Sequence, residues 1–180
     1  MKTPPAAFYV DPSRLAVERE RVFARSWQIV GHVGQLTNPG DYFTTRLGNE
    51  PLLFTNDGGT IRGFFNVCRH HAAAVVTAAE GEARNLRCPY HGWTYSLEGE
   101  LRGTPDFTGV CDFDRAANGL APVETEVWEN WVFVKLDRGG PSLENFLGAD
   151  LIRLMRGLDV DNFHWMERRR YTLDCNWKVF

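Results

Sequence analysis

The sequence predicts a mainly β chain: an antiparallel sheet domain with a helix before it and a two-finger insert within it. Three observations carry that expectation. Short runs of alternating apolar residues recur between residues 28 and 137, punctuated by turn signals such as Pro39-Gly40-Asp41 and Asn56-Asp57-Gly58-Gly59. Ahead of them, Leu15, Ala16, Val22, Phe23 and Trp27 fall within one broad face at helical spacing. Between two of the runs lie the pairs Cys68-x-His70 and Cys88-x-x-His91. With His71 they gather five of the nine residues made up by the chain's 4 Cys and 5 His.

Taken in order, the chain divides into residues 1–39, 40–137 and 138–180. The first part holds a helix over 11–27, capped by Asp11 with Pro12 in its first turn, and a lead-in strand from Gln28. The apolar stripe of that helix is expected to pack into the core. The second part holds strands over 42–47 and 51–55, a hairpin at 56–59, and a strand in which Ile61, Phe65 and Val67 share a face. Cys68 follows that strand directly, so the sheet aims the first finger. Residues 72–82 are alanine-rich, but Gly81 and the β-branched Val75, Val76 and Thr77 argue against a helix, and the stretch is expected as loop.

Residues 85–88 lead into the second finger, 93–96 leave it, and Leu97-Glu98-Gly99-Glu100 turns the chain back. Residues 103–121 are expected as an extended surface loop over part of the fingers. Residues 126–137 form a closing strand pair with Val132, Val134 and Leu136 pointing inward. The third part opens on Arg138-Gly139-Gly140-Pro141, the best linker in the sequence. Ser142 then caps a helix ending at Gly148, and Asp150 begins another ending at Gly157. A last alternation puts Tyr171, Leu173, Cys175 and Trp177 on one strand face. The run Arg168-Arg169-Arg170 is expected as a solvated strand face or loop.

Composition narrows the function. A length of 180 residues with 43% hydrophobic content supplies a sizeable core. The formal net charge of -3 leaves no basic surface for nucleic acid, and no apolar run reaches the roughly 20 residues that span a bilayer. The start, M-K-T-P-P-A-A-F-Y, lacks an apolar export region, so a cytoplasmic location with reduced thiols is expected. Cys111 and Cys175 are expected as small apolar residues rather than disulfide partners. His32 and His164 are expected as structural or exposed groups.

The two Cys/His pairs carry the chemistry. Thiolate and imidazole hold iron, zinc and copper, and ligands one or two residues apart reach one centre only from a tight loop. Pro89 fixes φ and Gly92 permits a turn, which suits finger-like loops facing each other. A single ion taking all four donors would make a closed Cys2His2 zinc site. Two irons sharing them, with two Cys on one and two His on the other, would make a [2Fe-2S] centre of the mixed-ligand kind. His71 is expected beside this set, at the surface or behind the ligands.

The wording of the fingers decides between these. C-R-H followed by C-P-Y-H-G-W resembles the Rieske signature, in the version carried by the alpha subunits of Rieske non-haem iron oxygenases. The segments R-S-W-Q-I-V-G-H, N-P-G-D-Y, F-F-N-V-C-R-H, G-W-T-Y-S-L-E-G-E-L and W-V-F-V-K-L-D share the resemblance, which therefore spans most of the chain. G-T-P-D-F-T-G-V-C-D-F-D is most similar to choline monooxygenase-like members of this ring-hydroxylating dioxygenase family. His71 departs from the Arg that many members carry, and it leaves the four expected ligands intact.

That resemblance implies a [2Fe-2S] cluster held by Cys68, His70, Cys88 and His91. The cysteines would hold the iron that stays ferric, and the histidines the iron that is reduced. Neutral imidazoles leave less negative charge than thiolates, so Rieske potentials lie at about -150 to +300 mV against about -400 mV for plant-type clusters. Trp93 stands where high-potential Rieske proteins carry a serine that bonds a cluster sulfide, which implies the lower end of that range.

The resemblance further implies an oxygenase whose reductase or ferredoxin brings electrons from NAD(P)H. They pass through the cluster to a mononuclear Fe(II) that activates dioxygen to hydroxylate a small organic substrate, as monooxygenase or dioxygenase, in a homotrimer or an alpha/beta oligomer. In the family, D-C-N-W-K opens the α+β catalytic domain. No second His pair follows here, since His164 is the only histidine after His91. Residues 138–180 are thus expected as a linker and the start of that domain, with no catalytic residues in this chain. The alternative is a free-standing Rieske ferredoxin, a carrier and not an enzyme.

Overall fold

A computed structural model describes residues 3–107 and 109–180. Met1 and Lys2, at the chain's start, and Thr108, within the loop expected over 103–121, lie outside the described residues. Three antiparallel sheets are stacked so that the middle one is covered on both faces. The first sheet orders β1 (Gln28–His32), β10 (Trp131–Lys135) and β9 (Glu124–Trp128). The middle sheet runs β4 (Ile61–Phe65), β3 (Glu50–Asn56), β2 (Asp41–Leu47) and β5 (Glu80–Glu82). The third, within the finger region, is β6 (Leu86–Arg87), β7 (Thr94–Tyr95) and β8 (Leu101–Gly103).

The middle sheet explains why its strands read as continuous apolar runs. Successive side chains of a strand point to opposite faces, and in β3 both faces are covered. Leu52 and Phe54 pack with Phe43 of β2 and with Val30, Val132 and Val134 of the first sheet. Leu53 points the other way, into a second core with Phe64, Leu86, Tyr95 and Leu101 of the finger region. Register is pinned by opposed pairs, Phe43 against Phe54 and Leu53 against Phe64. The β3–β4 turn follows the expected hairpin, with the Asn56 carboxamide accepting from the Gly58 and Gly59 amides at 3.0 and 2.7 Å.

Several expectations are corrected. The N-terminal helix comes as α1 (Ala7–Val10) and α2 (Pro12–Glu18), running into a π-turn over Arg19–Phe23. Asp11 does cap α2, its carboxylate accepting from Ser13 N at 2.9 Å. The stripe is not core: Val22 is 42% exposed, and Trp27, which is buried, lies beyond the helix. The π-turn adds residues to one turn and rotates the faces, so even spacing no longer keeps one stripe aligned. The stretch 72–82 is loop, as expected, but it ends in β5, which pairs with β2 through Asp41 to Glu82 and Phe43 to Glu80.

In β10 the inward set Val132 and Val134 is buried, but so is the opposite set, Phe133 and Lys135. The cover is Trp27 and Leu143, the first residue of α3 (Leu143–Arg156). Ser142 caps α3, and Gly148, at φ 74°, breaks it, so the two short helices expected on either side of that glycine are present. The final alternation forms no strand: Tyr171 and Leu173 are exposed, and Cys175 with them, because no described strand offers their backbone a ladder. Trp177 instead donates to Glu18 at 2.8 Å and meets the Phe23 ring edge-on at 5.0 Å. Arg168 is not simply solvated. Its guanidinium donates to Val30 O at 2.6 Å and to Thr45 Oγ1 at 3.2 Å.

Residues 139–141 are tied to the sheet through a buried lysine. Lys135 Nζ lies 2.6 Å from a Glu124 carboxylate oxygen, donates to Pro141 O at 3.3 Å and sits 4.6 Å above the Trp27 ring. Trp27 Nε1 donates to the same carbonyl at 3.1 Å, and Gly139 N donates to Glu124 at 2.9 Å. Lysine is needed here both as a charge and as a four-carbon stem filling space beside the indole. Lys135→Ala is expected to destabilise the chain by about 3 kcal/mol, the range for breaking a buried pair. Lys135→Met, which keeps the stem, is expected to cost about half as much. Urea unfolding of the two variants measures the difference.

Candidate metal centre

Both fingers are built by one backbone pattern. In the first, Cys68 N donates to Ala73 O at 2.8 Å and Ala72 N donates to Cys68 O at 2.9 Å. In the second, Cys88 N donates to Trp93 O at 2.8 Å and Gly92 N donates to Cys88 O at 3.0 Å. The residue four places after each cysteine takes a positive φ, Ala72 at 57° and Gly92 at 72°. Glycine adopts this region without penalty, whereas alanine does so at a cost of about 1 kcal/mol. The difference between C-x-H and C-x-x-H therefore changes where the imidazole leaves the loop, not how the loop closes.

Each finger springs from a strand end. Asn66, buried two residues before Cys68, clamps the loop beyond the first finger. Its Oδ1 accepts from Val75 N and Val76 N, both at 3.0 Å, and its Nδ2 donates to Val76 O at 2.7 Å. The second finger joins β6 to β7 and rests on the core through Leu86, Trp93 and Tyr95. Tyr95 bridges the two fingers. Its hydroxyl oxygen accepts from Arg69 N at 3.0 Å and stands 3.3 Å from Cys68 Sγ.

The four expected ligands are brought together in two layers. Cys68 and Cys88 are neighbours in the core, 3% and 2% exposed. Burial pushes the Cys88 thiol above its ordinary pKa, with the adjacent Cys68 sulfur adding to the shift. The imidazoles sit at the rim. His70 stacks flat on Trp93, with centroids 4.7 Å apart and planes at 3°, and stands 4.8 Å from the His91 ring. Burial, then the nearby His71 and His91, hold His70 below the usual imidazole range. Phe107 and Phe113, from the loop after β8, close edge-on against Trp93 at 5.4 and 5.7 Å.

Two observations bear on what this site can hold. His70 Nδ1 is buried with no hydrogen-bond partner, an uncommon state for a polar atom. It sits in a site whose other donors are two buried thiols and a rim imidazole. In addition, among the described residues the group of donors that closes to within 4.8 Å is His70, His71 and His91, and neither thiol belongs to it. Four donors converging on one zinc would be closer together than that. Thiols beneath and imidazoles above suit a binuclear centre with one iron in each layer. The residues fit a [2Fe-2S] cluster.

The comparisons with known proteins decide the family. Residues 26–114 match the family model described as the Rieske [2Fe-2S] domain. The chain carries a Rieske domain. Over 99% of its length it is 37% identical to choline monooxygenase of Arabidopsis thaliana, a chloroplastic protein, and covers 44% of that relative. It is 35% identical, over 97% of its length, to the oxygenase subunit of glycine betaine monooxygenase from Chromohalobacter salexigens, covering 39% of that protein. Among solved structures, the quaternary ammonium Rieske monooxygenase CntA with gamma-butyrobetaine aligns over 88% of this chain and 46% of its own, at TM-score 0.82 and 30% identity. Naphthalene 1,2-dioxygenase from Rhodococcus sp. aligns over 83% and 35%, at TM-score 0.79 and 34% identity.

The Rieske chain thus spans less than half the length of these curated relatives and resembles the N-terminal part of Rieske oxygenases, which act as oxidoreductases. The other histidines fall away from the fingers. His32 is buried beneath Trp165 and Trp131 and its Nδ1 accepts from Gly34 N at 3.0 Å, while His164 is exposed. Cys111 and Cys175 are exposed, against the expectation that they pack as apolar residues, and both are free. The loop over 103–121 does cover the fingers, through Phe107 and Phe113. Asn66, Tyr95 and those two phenylalanines were not singled out by sequence reasoning. The available signal was a polar Asn set in the apolar run Phe64-Phe65-Asn66-Val67, two residues before Cys68.

Among the described residues no helix is long and apolar enough to cross a membrane.

Proposed function

We propose that Cys68, His70, Cys88 and His91 hold the cluster, and that residues 40–137 form the electron-transfer domain of a Rieske oxygenase alpha subunit. Residues 1–39 are its N-terminal extension, and 138–180 lead into a catalytic domain whose Fe(II) lies outside this chain. When bound, the cluster supplies one-electron transfer. The observation that carries this reading is the pairing of two buried thiols with two rim imidazoles on matched loops. Electrons arrive from NAD(P)H through a reductase or ferredoxin at the exposed His91 edge, in a homotrimer or alpha/beta oligomer. The substrate class supported by the relatives' names is a small quaternary ammonium compound, taken by monooxygenation. A reducing, cytoplasmic setting suits four free cysteines.

The chain's own residues set the environment of the ligands. Trp93 fixes the His70 ring by stacking, and Phe107 and Phe113 pack edge-on against that indole. Tyr95, already accepting from Arg69 N, has its own O–H free to donate to Cys68 Sγ. Such a donor drains charge from a thiolate ligand and makes reduction easier. Tyr95→Phe is expected to lower the reduction potential by about 40 to 60 mV. That is about 1 kcal/mol, the net worth of one ordinary hydrogen bond, at about 59 mV per tenfold change for one electron. Voltammetry of the reconstituted protein measures it.

The deciding experiment is iron and acid-labile sulfide content on anaerobically purified protein, with paramagnetic resonance after reduction. About two irons and two sulfides per chain, with a low average g value, are expected. One zinc with no sulfide would overturn the reading.

A further inference from the structure

The cluster reading uses two of the three imidazoles at the rim and leaves His71 without a role. His71 is nevertheless the ring nearest to His70, with centroids 3.9 Å apart, and it lies 5.3 Å from His91. One nitrogen from each of the three falls within 4.8 Å of the others. We propose that, before the cluster is in place, the chain binds one divalent transition-metal ion of the zinc, nickel or copper class through His70, His71 and His91.

The geometry needs little adjustment. Metal–nitrogen bonds of about 2.0 to 2.1 Å place two tetrahedral ligands roughly 3.4 Å apart, so nitrogens within 4.8 Å close the gap by rotation of two rings. The rings that must turn are the exposed ones, although His91 also stacks on the Tyr90 ring at 3.9 Å. His71 and His91 are exposed, whereas His70 is held against Trp93 with its Nδ1 buried and without a partner. Three imidazoles and an open position toward solvent suit borderline metals, and the neutral rings add no charge. Arg87 and Asp106, which line the cavity at this rim, are of opposite sign and leave the site electrostatically mixed.

The consequence is competition. His70 and His91 cannot serve a lone ion and a cluster together, so a bound ion blocks loading until it is removed. His71 gives that ion its third ligand, and with an arginine in its place only two would remain. The inference shares two residues with the proposed cluster site, yet it holds whether or not the four-donor set carries iron.

Cobalt(II) is the probe that separates the possibilities. Titrated anaerobically into the reduced, cluster-free 180-residue chain, it is expected to bind once per chain, with weak ligand-field bands and no thiolate-to-cobalt charge-transfer band. His71→Ala, at an exposed position, is expected to weaken binding at least about tenfold, and His71→Arg to do the same. The Cys68→Ser/Cys88→Ser pair is expected to leave affinity within about twofold, because neither thiol is a ligand in this site. Zinc bound beforehand should slow iron–sulfide reconstitution in the unaltered chain and not in His71→Ala.

A thiolate charge-transfer band, or unchanged affinity in both His71 variants, overturns the inference. Failure of iron and sulfide to enter any variant overturns the cluster reading instead, and leaves the cobalt result standing.

Discussion

Replacing Cys88 by serine is expected to remove the metal centre outright, taking iron and sulfide from about two each per chain to background. The thiol is 2% exposed, and burial holds it protonated when no metal is present. A metal reverses that preference because it coordinates the thiolate directly. A serine hydroxyl at the same place does not ionise and offers a hard oxygen to a centre that prefers sulfur. The loop itself would persist, because Cys88 N and O are engaged with Trp93 and Gly92 through the backbone. Metal binding is also folding energy. With ligand stabilisation of about 4 kcal/mol, and 2 to 4 °C lost per kcal/mol in a chain of this size, Tm should fall by roughly 10 °C. Cys111→Ser is the control. That thiol is exposed, and its replacement should change neither iron content nor Tm.

Much of this centre was legible because its chemistry is local. The spacing of Cys68, His70, Cys88 and His91 and the glycine after His91 are sequence-adjacent features, and Gly92 takes the positive φ that its identity suggests. The matching turn in the first finger was not legible, because Ala72 adopts the same conformation without the residue type that advertises it. The middle sheet could be read from its turn signals. What escaped was anything that depends on a second covering layer. Lys135 looks like the solvent side of an alternating strand until Trp27 and α3 close over it. The reverse holds for the N-terminal stripe, where regular spacing promised burial and Val22, in the π-turn after α2, remains exposed. Periodicity reports which side chains share a face, and the partner of that face lies elsewhere in the chain.

Asn66 shows how far the centre depends on such non-local support, and Asn66→Ala is expected to destabilise the chain by about 4 kcal/mol. The residue is 4% exposed, and its carboxamide makes three hydrogen bonds to the backbone of Val75 and Val76. Alanine leaves those groups without partners. The Val75 side is itself buried, so water does not readily replace the lost acceptor. Each unsatisfied buried group costs about 1 to 3 kcal/mol, which places the sum well above that of an ordinary surface change. The effect on the metal should differ in kind from that of Cys88→Ser. All four expected ligands remain, so Asn66→Ala should load iron and sulfide. The loop that carries Cys68 and His70 back into the core would then be anchored by the turn at Ala72 and Ala73 and by the bond from Arg69 N to the Tyr95 hydroxyl. More frequent opening of that loop exposes the cluster, and iron release to a chelator should be at least about tenfold faster than in the unaltered chain, as expected when 1.4 kcal/mol or more of local stability is lost. Release at the unaltered rate, with stability reduced by urea, would show that the clamp supports the fold without guarding the centre.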